Sequence, residues 1–255
     1  MFYTNMTMKK TLGERTLIIP NRIFPGHNRR DNIAYGDHPL MRYDEFPSQN
    51  PNAPLVLFWY GGSWKTGNRG MYRFVGHMLQ KMGAHAFVID YPKTPERAFP
   101  GFIEDGTAML EHVRKKYPDR EIILMGHSAG GHTALLTGMQ AEHPVSKIVS
   151  IAGVCTLSQR FWYPVFGEAL RNGKSDPRHY AKTTPQDTKF FLAHGAIDTI
   201  VVVNDSITLH RKLEEAGKDS QLNIIPIADH IGILPMIAFG PFLRTKTKLK
   251  NFIHS

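Results

Sequence analysis

Residues 121–131, EIILMGHSAGG, set an apolar run directly before Gly126-His127-Ser128-Ala129-Gly130, and an Ala/Leu-rich helical pattern over residues 133–139 follows. The string reads as strand, sharp turn and helix, with a serine at the apex. A serine between a buried strand and a helix sits on a strained turn, and Gly126 and Gly130 let neighbouring backbone pass without a Cβ clash. The hydroxyl is thereby pushed into the open. A G-x-S-x-G string alone is a weak signal in a chain with 22 glycines. Bracketed by the strand and helix that its mechanics require, it becomes a good one.

The rest of the chain fits around that unit. Residues 54–60, PLVLFWY, form a continuous apolar run of strand length, as expected for a strand buried on both faces of a parallel sheet. Further strands are predicted over residues 32–35, 40–46, 85–91, 122–125, 147–151, 189–193 and 222–227. Helices are predicted near residues 71–82, 101–116 and 202–216, after Ser128, and from about Ile231. This alternation implies an α/β fold with a mostly parallel, doubly wound sheet and flanking helices. At 255 residues and 28.9 kDa, one domain over residues 1–255 is expected. Residues 1–30 are expected to wrap the outside. Residues 153–187 are the least periodic part and carry Phe161, Trp162, Tyr163 and Phe166. Lying on the carboxyl edge of the sheet, they are read as a short lid-like insertion or pocket wall. Loop aromatics that pack without touching substrate are the alternative.

Four segments carry a family likeness: Tyr60-Gly61-Gly62-Ser63-Trp64, the elbow at residues 126–130, His194-Gly195-Ala196-Ile197-Asp198, and Asp229-His230-Ile231-Gly232. With them the sequence resembles the α/β-hydrolase superfamily from about residue 54 to the C-terminus. Within it, the likeness is to small esterases of the feruloyl-esterase-like, hormone-sensitive-lipase-like and kynurenine-formamidase-like group. The resemblance implies an α/β-hydrolase fold, for which residues 32–46 fit the leading hairpin.

In that fold the partners of the serine follow in the order Ser, acid, His. A serine hydroxyl needs a base to take its proton and a third group to fix the tautomer of that base. Asp198 fits the acid, on a short loop after the strand at residues 189–193, and His230 fits the base, just after the strand at residues 222–227. Both lie past carboxyl ends of strands, as Ser128 does, so the three can converge on one sheet edge. Of the 13 histidines, His127 and His132 flank the serine too closely and His194 precedes the acid; His127 is read as elbow packing and His194 as structural. Asp205 competes for the acid role but falls within a helix pattern, and Asp229 is read as ordering its loop. The backbone N–H of Ala129 is expected to serve as one oxyanion donor. The resemblance supplies Gly62 and Ser63 as the others, while Gly61 and Trp64 of the same loop and Phe161 and Trp162 of the insertion are the candidates for contact with substrate. Tyr60 stands where the family usually has histidine, which leaves main-chain donors intact but changes the first side chain's contact.

Other chemistries find no support. Residues 62–67 share a glycine spacing with phosphate loops, but Asn68-Arg69 replace the Lys-Ser/Thr such a loop needs. No HExxH, CxxC or EF-hand spacing occurs, so neither metal nor cofactor is expected. The single cysteine, Cys155, excludes an internal disulfide. Residues 1–20 lack a continuous apolar segment, and a cytoplasmic protein is expected. The net charge of +9 is scattered, apart from Arg244, Lys246, Lys248 and Lys250 spread around a helix. It is read as a solvated surface, not a nucleic-acid footprint. Residues 231–243 are too short and proline-interrupted to span a membrane. The expectation is a serine esterase acting on a small ester, with an arylformamidase-type amidase and a catalytically silent binding protein as alternatives. The sequence leaves the oligomeric state open.

Overall fold

The computed structural model describes residues 17, 20, 21, 28–157, 160–240 and 243–255. The expected N-terminal wrap over residues 1–30 falls largely outside the described residues. Asn21 is described: its amide donates to Met71 O (2.6 Å) and its carbonyl accepts from Phe74 N (2.9 Å), tying it to the start of a helix.

The apolar run at residues 54–60 becomes β3 (Leu55–Trp59), every residue of which is buried. A strand with no polar alternation needs both faces covered, and it takes the sheet interior. The eight-stranded order is β1-β2-β4-β3-β5-β6-β7-β8. β1 (Arg30–Ala34) pairs antiparallel with β2 (Arg42–Phe46), and β2 antiparallel with β4 (His85–Ile89). From β4 onward, through β3, β5 (Ile122–His127), β6 (Lys147–Ile151), β7 (Lys189–Gly195) and β8 (Ser220–Ile225), all pairs are parallel. β8 at the edge is less buried than the inner strands, with Gln221 and Ile224 exposed.

Helices fill the connections: α1 (Arg73–Lys81), α2 (Gly101–Lys116), α3 (Ala129–Met139), the short α4 (Tyr163–Phe166), α5 (Asn204–Glu215), α6 (Ile233–Phe239) and α7 (Leu243–His254). α3 is buried on every side, and its composition, AGGHTALLTGM, explains how. Gly131 and Gly138 carry no side chain where Ser150, Ile148 and Leu124 of the sheet press against the helix.

Boundaries depart from the sequence reading in physically readable ways. β5 runs on through Gly126 and His127, because Gly126 still pairs with Trp59 on one side and Ser150 on the other. β8 lies two residues earlier than expected, at Ser220–Ile225. The last helix is two helices, with Gly240 in extended conformation ending the first. The described residues of segment 153–187 form a chain of short turns and the helix α4. It is anchored by aromatic contacts: Phe166 meets Trp64 at 4.8 Å between ring centroids, and Trp162 meets Trp64 at 5.5 Å.

Candidate active site

Ser128 sits between β5 and α3 at φ 55°, ψ −123°, a region that disfavours side-chain-bearing residues. Its amide is held by Ile151 O (3.0 Å) at the end of β6. The glycines around it answer to close backbone contact. A Cβ on Gly126 would run into the Gly130 carbonyl, and one on Gly130 into the carbonyl of Trp59. The strain at the serine is thus set by three strand ends packed around it.

His230, on the turn after β8, brings Nε2 to 2.8 Å from Ser128 Oγ. Its Nδ1 lies 2.7 Å from Asp198 Oδ2, on the turn after β7. All three side chains are buried. Asp198 is fixed from several directions: Oδ1 accepts the amides of Ile200 and Val201 (2.9 Å each), while His194 Nε2 lies 3.3 Å from Oδ2. Burial pushes the Asp198 pKa up, but hydrogen bonds from His194 and His230 outweigh it and hold the carboxyl well below its ordinary range. An ionised Asp198 takes a proton-bearing Nδ1 from His230, which leaves Nε2 with the lone pair facing the serine hydroxyl.

Two further histidines brace this pair. His127 Nε2 lies 2.8 Å from the backbone carbonyl of His230, which makes it the donor there. Burial, then the neighbouring His230, pushes the His127 pKa down to about 3, so the ring is neutral and adds no repulsive charge. His194 donates from Nε2 to Val201 O (2.9 Å) and takes a hydrogen bond at Nδ1 from Ser206 Oγ (2.7 Å). Asp229 orders the turn that carries His230, its Oδ1 accepting the amides of Ile231 (3.1 Å) and Gly232 (2.6 Å).

Beside the serine, residues 60–67 form a tight loop with Gly62 at φ 139°, Ser63 at φ 55° and Trp64 at φ 56°. Gly62 O accepts the amides of Lys65 and Thr66 (3.0 Å each). The Ser63 and Ala129 amides have no acceptor among the described residues, and both residues line the same cavity as Ser128. Gly61 and Gly62 are not in that lining. Gly61 backs the serine: a Cβ there would stand 2.8 Å from Ser128 Cβ and 3.0 Å from His127 Nδ1. Below the loop, Tyr60 Oη donates to Asp90 Oδ1, and Arg69 binds both Asp90 (3.0 Å) and Asp44 (2.8 Å). The contact of Tyr60 is therefore with a buried ion cluster that joins Asp44 in β2 to Asp90 just past β4.

The cavity in front of Ser128 holds about 400 Å³, with Trp64, Phe161 and Trp162 among its walls. Asp205 also lines it but does not touch His230. Its Oδ2 accepts the amides of Cys155 and Thr156 (2.9 Å each). Burial, then the Asp205 charge, pushes the Cys155 thiol well up, so it offers no thiolate. The roles of His127, His194 and Asp205 escape a sequence reading because each depends on which loops meet. The one available signal was position: each lies within seven residues of Ser128 or Asp198.

A mostly parallel sheet with a strained serine elbow after its central strand, and a histidine and an aspartate on later strand ends, defines an α/β-hydrolase. The chain belongs to that superfamily through the prolyl oligopeptidase family, whose model matches residues 102–236, and the BD-FAE model matches residues 45–154. It is 31% identical to esterase LipC of Mycobacterium tuberculosis over 89% of this chain and 66% of that protein. It is 23% identical to the kynurenine formamidase of Danio rerio, over 86% of this chain and 80% of the relative. The chain thus spans just under two thirds of the esterase and four fifths of the formamidase. Among solved structures, esterase B of Lactobacillus rhamnosis superposes with a TM-score of 0.80 at 17% identity, over 100% of this chain and 96% of that one. Among the described residues no helix is long and apolar enough to cross a membrane.

Proposed function

We propose that this protein is a serine hydrolase that cleaves carboxylic esters through an acyl-enzyme on Ser128. The observation that carries the reading is the relay from Ser128 Oγ through His230 to Asp198, with links of 2.8 and 2.7 Å, opening on a cavity of about 400 Å³. The relay has one direction. His230 takes the hydroxyl proton as Oγ attacks the ester carbonyl, and Asp198 holds the resulting imidazolium. The N–H groups of Ala129, Ser63 and Gly62 receive the oxyanion, each worth ~3 kcal/mol of barrier. His230 then returns its proton to the departing alcohol, and water releases the acid by the same steps.

The named esterase relatives support an ester as substrate, and the cavity size supports a short-chain or aryl one. Residues 153–187 act as a pocket wall in this reading, with Phe161 and Trp162 against the substrate. A single domain is supported by the one continuous sheet. A cytoplasmic setting is supported by the lone buried Cys155.

The test is hydrolysis of p-nitrophenyl acyl esters from acetate to decanoate, with wild type beside Ser128→Ala. Turnover is expected to peak at short chains and to fall on the order of 10⁶ in kcat in the variant. Activity near wild type in Ser128→Ala would sink the mechanism. A second reading, an arylformamidase-type amidase, is favoured by the formamidase relative, which the chain matches over more of its length than it does LipC. It prevails if N-formyl aromatic amides exceed short p-nitrophenyl esters in kcat/KM.

A further inference from the structure

Asp205 is an acidic side chain in an unexpected place. It is 6% exposed, sits in the first turn of α5, and lines the same cavity as Ser128. Its Oδ2 is occupied by the amides of Cys155 and Thr156. Among the described residues no Lys, Arg or His nitrogen forms an ion pair with it. Arg178, close enough to feel its charge, is committed to Asp176 at 2.6 Å. Oδ1 has no donor among the described residues, and it is not one of the polar atoms sealed off without a partner. Asp205 is one of the residues that line the cavity.

A buried carboxylate with one free oxygen is costly unless a cation or a strong donor meets it. The walls nearby are aromatic: Trp64, Trp162 and Phe161, with Lys65 packed on the Phe161 ring at 5.5 Å. Aromatic faces beside a carboxylate are the usual setting for an organic ammonium. The other acid of the site, Asp198, is spent on His230, His194 and two backbone amides. Holding the loop at Cys155 would need only an acceptor oxygen, which an asparagine also provides. The charge is what that task leaves unused.

We infer that Asp205 is a specificity residue, selecting substrates that carry an ammonium group on the part lodged beside the first turn of α5. The inference rests on the ester-hydrolase reading and narrows its substrate class to amino-bearing esters.

The test titrates alkylammonium ions, ethyl to hexyl, and primary alcohols of equal length into the full chain. Binding is read from Trp64 and Trp162 fluorescence in wild type and Ser128→Ala, and from competitive inhibition of p-nitrophenyl acetate hydrolysis in wild type. At its best length the ammonium is expected to bind about tenfold or more tightly than its alcohol. In Asp205→Asn, which keeps an oxygen for both amides, that preference falls to within about twofold. A loop-tethering role alone would not move this ratio. Equal affinity for ammonium and alcohol in wild type overturns the inference, and so does a preference that survives in Asp205→Asn. Should Asp205→Asn not fold, Asp205→Glu, with its longer arm, is expected to favour a shorter ammonium; an unchanged optimum overturns the assignment. If neither variant folds, the wild-type ratio decides. Fluorescence needs no turnover, so an ammonium preference without ester hydrolysis would overturn the ester reading alone. Hydrolysis without the preference would overturn this inference alone.

Discussion

Ser128 owes its geometry to residues without side chains. Gly126, Gly130 and Gly61 each stand where a methyl group would strike backbone or the serine itself. Gly126→Ala is expected to destabilise the fold by about 3 kcal/mol or more, because the carbonyl it meets belongs to a helix that cannot retreat. Chemical denaturation would read the loss, and an unchanged midpoint would refute the account. His127 works at the same scale. Without its hydrogen bond to the His230 carbonyl, His127→Leu should lose about tenfold in kcat while KM stays near wild type. An effect on KM alone would mean that His127 shapes the cavity, not the base. That Ser128, Asp198 and His230 would meet was legible in the sequence, because chain order and strand ends restrict them. His127 and His194 were read there as packing and structural residues. Their hydrogen bonds to the site run through a backbone carbonyl and a shared carboxylate oxygen, which no residue spacing encodes.

At the scale of elements, strands and helices followed from apolar runs and punctuation, and their errors are informative. The sequence reading stopped β5 at Met125 because glycine ordinarily ends a strand. Here Gly126 stays in the ladder, since a strand flanked by two others keeps pairing wherever the neighbour's backbone fits. The loop at residues 60–67 is likewise more constrained than its glycines suggest. Trp64 stacks on Phe102 (5.5 Å), meets Phe166 edge-on (4.8 Å) and donates to Thr133 (3.3 Å). Trp64→Ala is expected to cost ~3–5 kcal/mol and to abolish turnover, since a fully buried indole leaves a void beside the expected donors. Trp162, half-buried at the cavity, should behave oppositely. Trp162→Ala is expected to shift the acyl-chain optimum to longer esters, with Tm little changed. A chain-length profile identical to wild type would place Trp162 outside the substrate's reach.

The whole molecule carries its acid sensitivity in buried imidazoles. Burial pushes the pKa of His127 down to about 3, and that of His132 down to about 4, from an ordinary 6.5. Between pH 6.5 and those values the unfolded chain binds protons that the folded one refuses, so stability falls as pH drops through the window. Asp198, with its pKa lowered, keeps its contribution until pH falls below the ordinary carboxylate value of 3.8. The loss above pH 4.5 therefore belongs to the histidines, at up to about 1.4 kcal/mol per pH unit for each. His132→Gln, which can still donate to Ser175 O, should remove about one proton from that slope. Urea unfolding at pH 7, 6 and 5 would measure it, and a slope equal to wild type would acquit His132.

The order of strands across the sheet also has a temporal meaning. Ser128, Asp198 and His230 hang from β5, β7 and β8, and the histidine follows the serine by 102 residues. During synthesis His230 is the last of the three to leave the ribosome, and parallel pairing of distant segments is slow. On the proposed mechanism, a nascent chain exposes a serine that nothing deprotonates, and a product cut short before β8 is expected to be chemically mute. On that mechanism, reactivity arrives only with the turn that follows the last strand of the sheet.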